Sequence, residues 1–255
     1  MIINTTAVYV LWLREMKRFI RAKSRIIGAL SMPLFFLAFL GLGFNRMGVP
    51  GIGRDLKYIH FLVPGIIGMS LLFTSTFAGL SVLWDREFGF LKEIMVTPVS
   101  RVSIVIGRIA GGTTTALIQG LMLLLIALIA GFKIPSLASF LLALLFMLLI
   151  TTTFIGLGLI FASVMKDMQG FGLIMNFVMF PMFFLSGAMY PLQNLPGVIR
   201  ALSYIDPLTF GIDGLRGALI GVSAFSLPVD ILVMAAFSVV MVVLGAWFFE
   251  RSESL

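Results

Sequence analysis

Cysteine is absent from this 255-residue chain, and histidine occurs once, as His60. Without thiols there is no disulfide and no thiolate metal site, and a single imidazole is too few for a zinc centre. Charge is scarce too: 11% of residues are charged and 60% hydrophobic, with a mean hydropathy of +1.13. A soluble domain of this length needs far more charge to cover its surface. The nucleotide-binding pattern G-x-x-x-x-G-K-[ST] is also missing, so any use of ATP falls to another polypeptide. Finally, no apolar run holds Asp, Glu, Lys or Arg well inside it. That argues against proton-coupled carriers and intramembrane enzymes, whose chemistry needs ionisable groups at depth.

What is present is apolar length. Charge-free runs fall at Ile26–Phe44, Ile59–Trp84, Ile109–Phe132, Ile134–Met165, Met168–Ile199 and Ile231–Phe249. A bilayer-spanning helix needs about 20 residues, so the simplest expectation is an all-α integral membrane protein with six transmembrane helices. The fourth and fifth runs exceed that length and predict extra interfacial or re-entrant structure. Pro135 is expected to start the fourth helix and Pro181 to kink the fifth. The polar groups at depth are neutral: Gln119, Asn176 and hydroxyls such as Thr74, Ser75, Thr113, Thr114, Thr151 and Thr152. No internal repeat or linker divides the chain, so residues 1–255 read as one domain. No A-x-A-like site follows the first run, so a cleavable signal is not expected.

Orientation follows from the basic residues, which favour the cytoplasmic side. Arg14, Lys17, Arg18, Arg21, Lys23 and Arg25 precede the first run, and Arg86, Lys92, Arg101, Arg108, Lys166 and Arg251 fall on the same side. The opposite side carries half as many: Arg46, Arg54, Lys57, Lys133, Arg200 and Arg216. Both termini are therefore expected in the cytoplasm. This bias accounts for most of the net charge of +7 without any nucleic acid as partner. Residues 1–25 predict a basic amphipathic helix, with Val8, Leu11, Trp12, Glu15, Phe19 and Ala22 set against the arginines; anionic membrane lipid is its simplest partner.

Between the second and third runs, residues 85–101 read DREFGFLKEIMVTPVSR. Phe88, Leu91, Ile94 and Met95 recur at spacings of three and four, which places them on one face of a short helix. Asp85 can cap its start, and Thr97–Pro98 ends it. Gly89 permits close approach by another backbone. Such a helix either sinks its apolar face among headgroups or inserts as a ridge into a groove of a soluble partner.

The run R-E-F-G-F-L-K-E-I-M-V-T-P-V-S-R, followed by I-x-I-G-R-I, closely resembles the cytoplasmic loop of type 2 ABC transporter permeases, the membrane subunits of bacterial and archaeal ABC exporters. Its wording is most like the drug and antibiotic exporter branch. The resemblance implies a coupling helix seated in a cleft of an ATPase subunit, formed or supported by Arg86, Glu87, Gly89, Leu91, Glu93, Ile94 and Pro98. One departure stands out: many members carry an acidic residue three after the glycine, where this chain has Lys92, with Glu93 next.

A second stretch, PMFFLSGAMYPLQNLPGVIRALSYIDPLTFGIDGLRG at 181–217, resembles the same family's P-x-x-F-x-S-G-x-x-x-P…L-P…P-L-T…D-x-x-R-G pattern. The matching residues are Pro181, Ser186, Gly187, Pro191, Pro196, Pro207, Asp213 and Arg216. The prolines break a plain helix, and Val198, Ile199, Leu202 and Ile205 give one piece an apolar face. Residues 190–228 are thus expected to form short re-entrant helices on the outer side, acting as a gate or as a cap on the bundle.

The resemblance further implies a working unit of two permease chains, expected as a homodimer, and two cytoplasmic ABC ATPase subunits that bind ATP and Mg. Phe35, Phe73, Thr74, Gln119, Asn176 and Phe180 are candidates to line the pathway, a surface suited to a hydrophobic or amphiphilic cargo. Gly107-x-x-x-Gly111, Gly65, Gly68, Ser75 and Gly79 are candidates for close helix contact. Export of a polysaccharide or glycolipid, and an ATP-independent channel or scaffold, stand as alternatives.

Overall fold

A computed structural model describes residues 4–43, 57–87, 99–165 and 167–252. The described residues are predominantly helical, with no strand among them. Its helices are α1 (Thr5–Arg21), α2 (Lys23–Gly43), α3 (Tyr58–Glu87), α4 (Arg101–Ile129), α5 (Leu137–Val164), α6 (Met168–Ile174), α7 (Phe180–Leu185), α8 (Gly197–Ser203), α9 (Pro207–Ile220) and α10 (Leu227–Ser252). A π-helical turn, Met175–Met179, joins α6 to α7, and a 3₁₀ turn, Leu192–Asn194, precedes α8.

Among the described residues four helices are long and apolar enough to cross a bilayer: α3, α4, α5 and α10. A fifth candidate is the pair α1 and α2, which bend by 68° to each other. The fifth apolar run is not one unbroken helix. Pro181 has no N–H for the carbonyl four residues back, and the backbone widens into the π turn just before it. Six runs therefore become four continuous helices, one bent pair and one interrupted segment. Pro135 lies just ahead of α5, which Ser136 caps by accepting from Ser139 N–H.

α5 is the centre of the bundle and packs on both α3 and α10. Two glycines make this possible. A Cβ at Gly158 would sit 2.5 Å from the Thr76 carbonyl oxygen of α3, and one at Gly156 would sit 2.5 Å from the Met241 carbonyl carbon of α10. Without a solvent-driven force between helices in lipid, such backbone-to-backbone approach supplies the attraction. The hydroxyls at depth mostly bond within their own helices, Thr151 and Thr153 returning to Leu148 and Leu149 carbonyls. Thr152 also reaches Ser238 of α10 at 2.6 Å.

α1 does more than float on headgroups. It packs along α4, its backbone drawn in over Gly107 and Gly111, where a Cβ would meet the Leu11 and Glu15 side chains at 2.9 and 2.8 Å. Trp12 donates its indole N–H to Thr114 Oγ1 (3.0 Å), and Asn4 N–H donates to Ser103 Oγ (2.9 Å). These glycines, like Gly65, Gly68 and Gly79, serve contacts within one chain.

Candidate functional site

Two polar constellations sit at opposite ends of α3. At the α1 end, Asp85 accepts hydrogen bonds through Oδ2 from Arg14 Nη2 (2.6 Å) and Arg108 Nη2 (2.7 Å). Arg14 also lies 3.4 Å from Glu15. One carboxylate thereby ties α1, α3 and α4 together. Asp85 does not cap a new helix, as the sequence suggests: α3 continues to Glu87, because an ion pair with two arginines satisfies Asp85 inside the helical run. Nor is Arg108 a loop charge. α4 begins at Arg101, which places Arg108 about two turns inside the helix and leaves it 5% exposed.

The coupling residues follow directly. Arg86 and Glu87 close α3, whereas Gly89, Leu91, Glu93, Ile94 and Pro98 lie outside the described residues. α4 resumes with Ser100 as its cap, accepting from Ser103 N–H.

At the other end, Arg216 of α9 is 4% exposed and donates through Nη2 to the Gly187 and Ala188 carbonyls at 3.0 and 3.3 Å. Its guanidinium lies 3.7 Å from the centre of the Phe61 ring on α3, a face-on contact that suits a delocalised cation. Burial lowers its pKa to about 10, with Asp213 opposing, so it remains charged. Gly187 adopts φ +71°, a left-handed turn that glycine takes without strain. Gly65 of α3 lets the Ala188 carbonyl approach, since a Cβ there would lie 2.1 Å from that oxygen. Ser186 Oγ donates to Phe183 O and accepts from Ala188 N–H, and Tyr58 Oη donates to Met189 O at 2.9 Å.

The remaining residues of that motif shape the chain around this knot. Asp213 accepts from Ala224 and Phe225 N–H at 2.8 Å, which pins the loop after α9; burial raises its pKa against those bonds. Pro191 and Pro196 precede the 3₁₀ turn and α8, and Pro207 opens α9. Asp206 caps α9 by accepting from Leu208 N–H at 2.9 Å, and burial raises its pKa to about 7. Pro181, exposed in the first turn of α7, stands apart from the knot. Val198 and Leu202 of α8, and Ile205 just beyond it, face outward, 49–76% exposed.

The candidate pathway residues do not form one surface. Phe73, Thr74 and Gln119 line a cavity of about 400 Å³ bounded by α1, α2, α3 and α4. Phe180 packs its ring on Phe73 at 5.2 Å but does not line that cavity. Phe35 is exposed on α2, stacked on Phe39 at 4.1 Å, and Asn176 is exposed on the π turn. Sequence reasoning missed the roles of Arg14 and Arg108. The available signal was an arginine, in I-G-R-I, directly abutting a long apolar run beside a glycine.

Residues 6–220 match the family model described as ABC-2 type transporter. The chain is similar to the inner membrane transport permease YadH of Escherichia coli (strain K12), 28% identical over 243 residues that cover 93% of this chain and 90% of that protein. It is also similar to nodulation protein J of Rhizobium meliloti (strain 1021), 29% identical over 234 residues, 90% and 87% of the two chains. Nodulation protein J of Sinorhizobium fredii (strain NBRC 101917 / NGR234) matches at 27% over 232 residues, again 90% and 87%. With most of its length matched and several apolar helices able to cross a bilayer, this multi-pass protein of the cell membrane belongs to the ABC-2 type transporter family.

Proposed function

We propose that the chain is the membrane-spanning half of an ATP-driven exporter, in which two copies pair with two copies of a separate cytoplasmic ABC ATPase. The cargo leaves toward the outer side and is a hydrophobic or amphiphilic small molecule or a lipid-like molecule, as in the drug exporter branch. ATP and Mg act on the partner; this chain carries the motion. The observation that supports this reading is the Asp85 cluster, which binds α1 and α4 to α3 directly ahead of the coupling residues that begin at Arg86. A push on residues 88–98 then reaches three helices together instead of bending one. α3 passes it on over about 36 Å, from Asp85 to Phe61, where Arg216 and the 186–189 turn rest on it. Both termini face the cytoplasm in this arrangement, and residues 190–228 form the outer gate.

Because the chain lacks cysteine, a single Glu93→Cys change provides a unique crosslinking site. Crosslinking in native membranes is expected to capture a soluble protein bearing a Walker A motif. Capture of lipid alone, with the chain folded and abundant, would leave a channel or scaffold as the better account.

A further inference from the structure

We infer that the cleft between α1, α2, α3 and α4 is a binding site for one anionic phospholipid, with an acyl chain inside it and the phosphate against Arg18 and Arg21 of α1. The cleft, about 400 Å³, runs along α3 from Met69 to Trp84, roughly 22 Å at the helical rise. The bilayer's hydrocarbon core is about 30 Å thick, so the cleft is deeper than one leaflet. Its walls include Met32, Pro33, Phe73 and Phe77. Its floor reaches Gln119 of α4, which is 2% exposed and donates to Ser70 Oγ at 3.2 Å. The amide nitrogen at the bottom is engaged and the other named walls are mostly apolar, so the space suits methylenes better than a charged ligand.

The mouth has the opposite character. Arg18 and Glu15 stand at its rim, and Arg18 also lines an adjoining hollow with Arg14, Lys17, Arg21 and Asp85. The two carboxylates are already engaged: Asp85 by Arg14 and Arg108, Glu15 by Arg14. Among the described residues no carboxylate lies within 4.0 Å of Lys17, Arg18 or Arg21. Arg18 rests over the Trp84 ring at 5.4 Å, a contact that leaves its N–H groups without a carboxylate among the described residues. An apolar slot that opens beside such cations matches a phosphodiester with a tail, and guanidinium groups suit phosphate oxygens. The cleft also lies within one chain, so a resident lipid would wedge the 68° elbow between α1 and α2 and hold α1 against α4.

Gly28 offers the test. It lines the cleft, and a Cβ there meets nothing within 4 Å, so Gly28→Leu fills the slot without a backbone clash. Gly43, on the same helix, faces equally open space outside the cleft, which makes Gly43→Leu the control. The full chain is purified from vesicles of mixed phosphatidylglycerol and phosphatidylcholine, and retained lipid is counted by native mass spectrometry. One phosphatidylglycerol per chain is expected, preferred over phosphatidylcholine by roughly thirtyfold, the equivalent of about 1 kcal/mol for each of two arginines. Gly28→Leu loses it, Gly43→Leu keeps it, and Arg18→Ala with Arg21→Ala brings the two lipids to near parity. Equal retention of both lipids by the unaltered chain, or undiminished retention by Gly28→Leu, overturns the inference. So does release of the lipid into the other leaflet only during ATP turnover, which would make it cargo.

Discussion

Arg108, buried in α4, donates to the Asp85 carboxylate at the end of α3 across 2.7 Å. Arg108 Nε and Nη1 have no partner among the described residues, so this one bond carries most of the compensation for a buried cation. Asp85→Asn is therefore expected to destabilise the protein by about 3–5 kcal/mol, the usual cost of leaving one partner of a buried pair alone. Arg14→Ala should cost less, because that side chain is 28% exposed. Adding Arg108→Met to Asp85→Asn should recover much of the loss. Thermal unfolding of the purified variants ranks them, and an Asp85→Asn protein as stable as the parent would contradict the assignment.

Helix packing gives a second expectation. A Cβ at Gly79 would lie 2.4 Å from the Gly158 carbonyl carbon, with backbone rather than a pliable side chain in the way. Gly79→Ala should force α3 and α5 apart at a cost of about 1–3 kcal/mol. Gly43→Ala, in open space, should be nearly silent. Comparing the two by thermal unfolding separates a packing contact from a general intolerance of alanine.

At the other end of α3, the two carbonyls held by Arg216 belong to residues 28 and 29 positions earlier. Arg216→Met should strand them at about 1–3 kcal/mol. Arg216→Lys should rescue only in part, since an ammonium replaces neither the fork nor the face-on contact with Phe61. Limited proteolysis across 187–197 reads out the release of this turn, and full rescue by lysine would show that charge alone suffices.

Asp206 predicts a pH effect. Burial pushes its folded pKa up to about 7, above the ordinary carboxylate value of 3.8, so the folded state binds the proton more tightly. Stability from this group is fully present below about pH 4 and is lost as pH rises through about 7. Asp206→Asn keeps a good helix cap but removes the titration. The parent's stability should fall by a few kcal/mol between about pH 4 and 7, and the asparagine variant should fall less steeply, keeping only the slope from other buried carboxylates such as Asp213, as measured by thermal unfolding at each pH.

Membrane residence, the helical class, the amphipathic α1 and both family motifs were legible in the sequence, since transfer energy and helical period are written into neighbouring residues. The breaks at Pro181, Pro191, Pro196 and Pro207 were legible too, because proline acts on its own backbone. The positions of those breaks were foreseeable, but not the π turn that absorbs the first.

What only the tertiary structure decided is which side chains meet. Arg14 reaches Asp85, 71 positions away, because Gly107 and Gly111 let α1 settle onto α4. Phe73 and Gln119 share one cavity while Asn176 and Phe35 face outward, although all four sit in similarly apolar sequence. The physical reason is that lipid gives apolar helices no preferred partner. Pairing is set by where small residues admit a neighbouring backbone and where buried charges find compensation, and both depend on helices far apart in the chain.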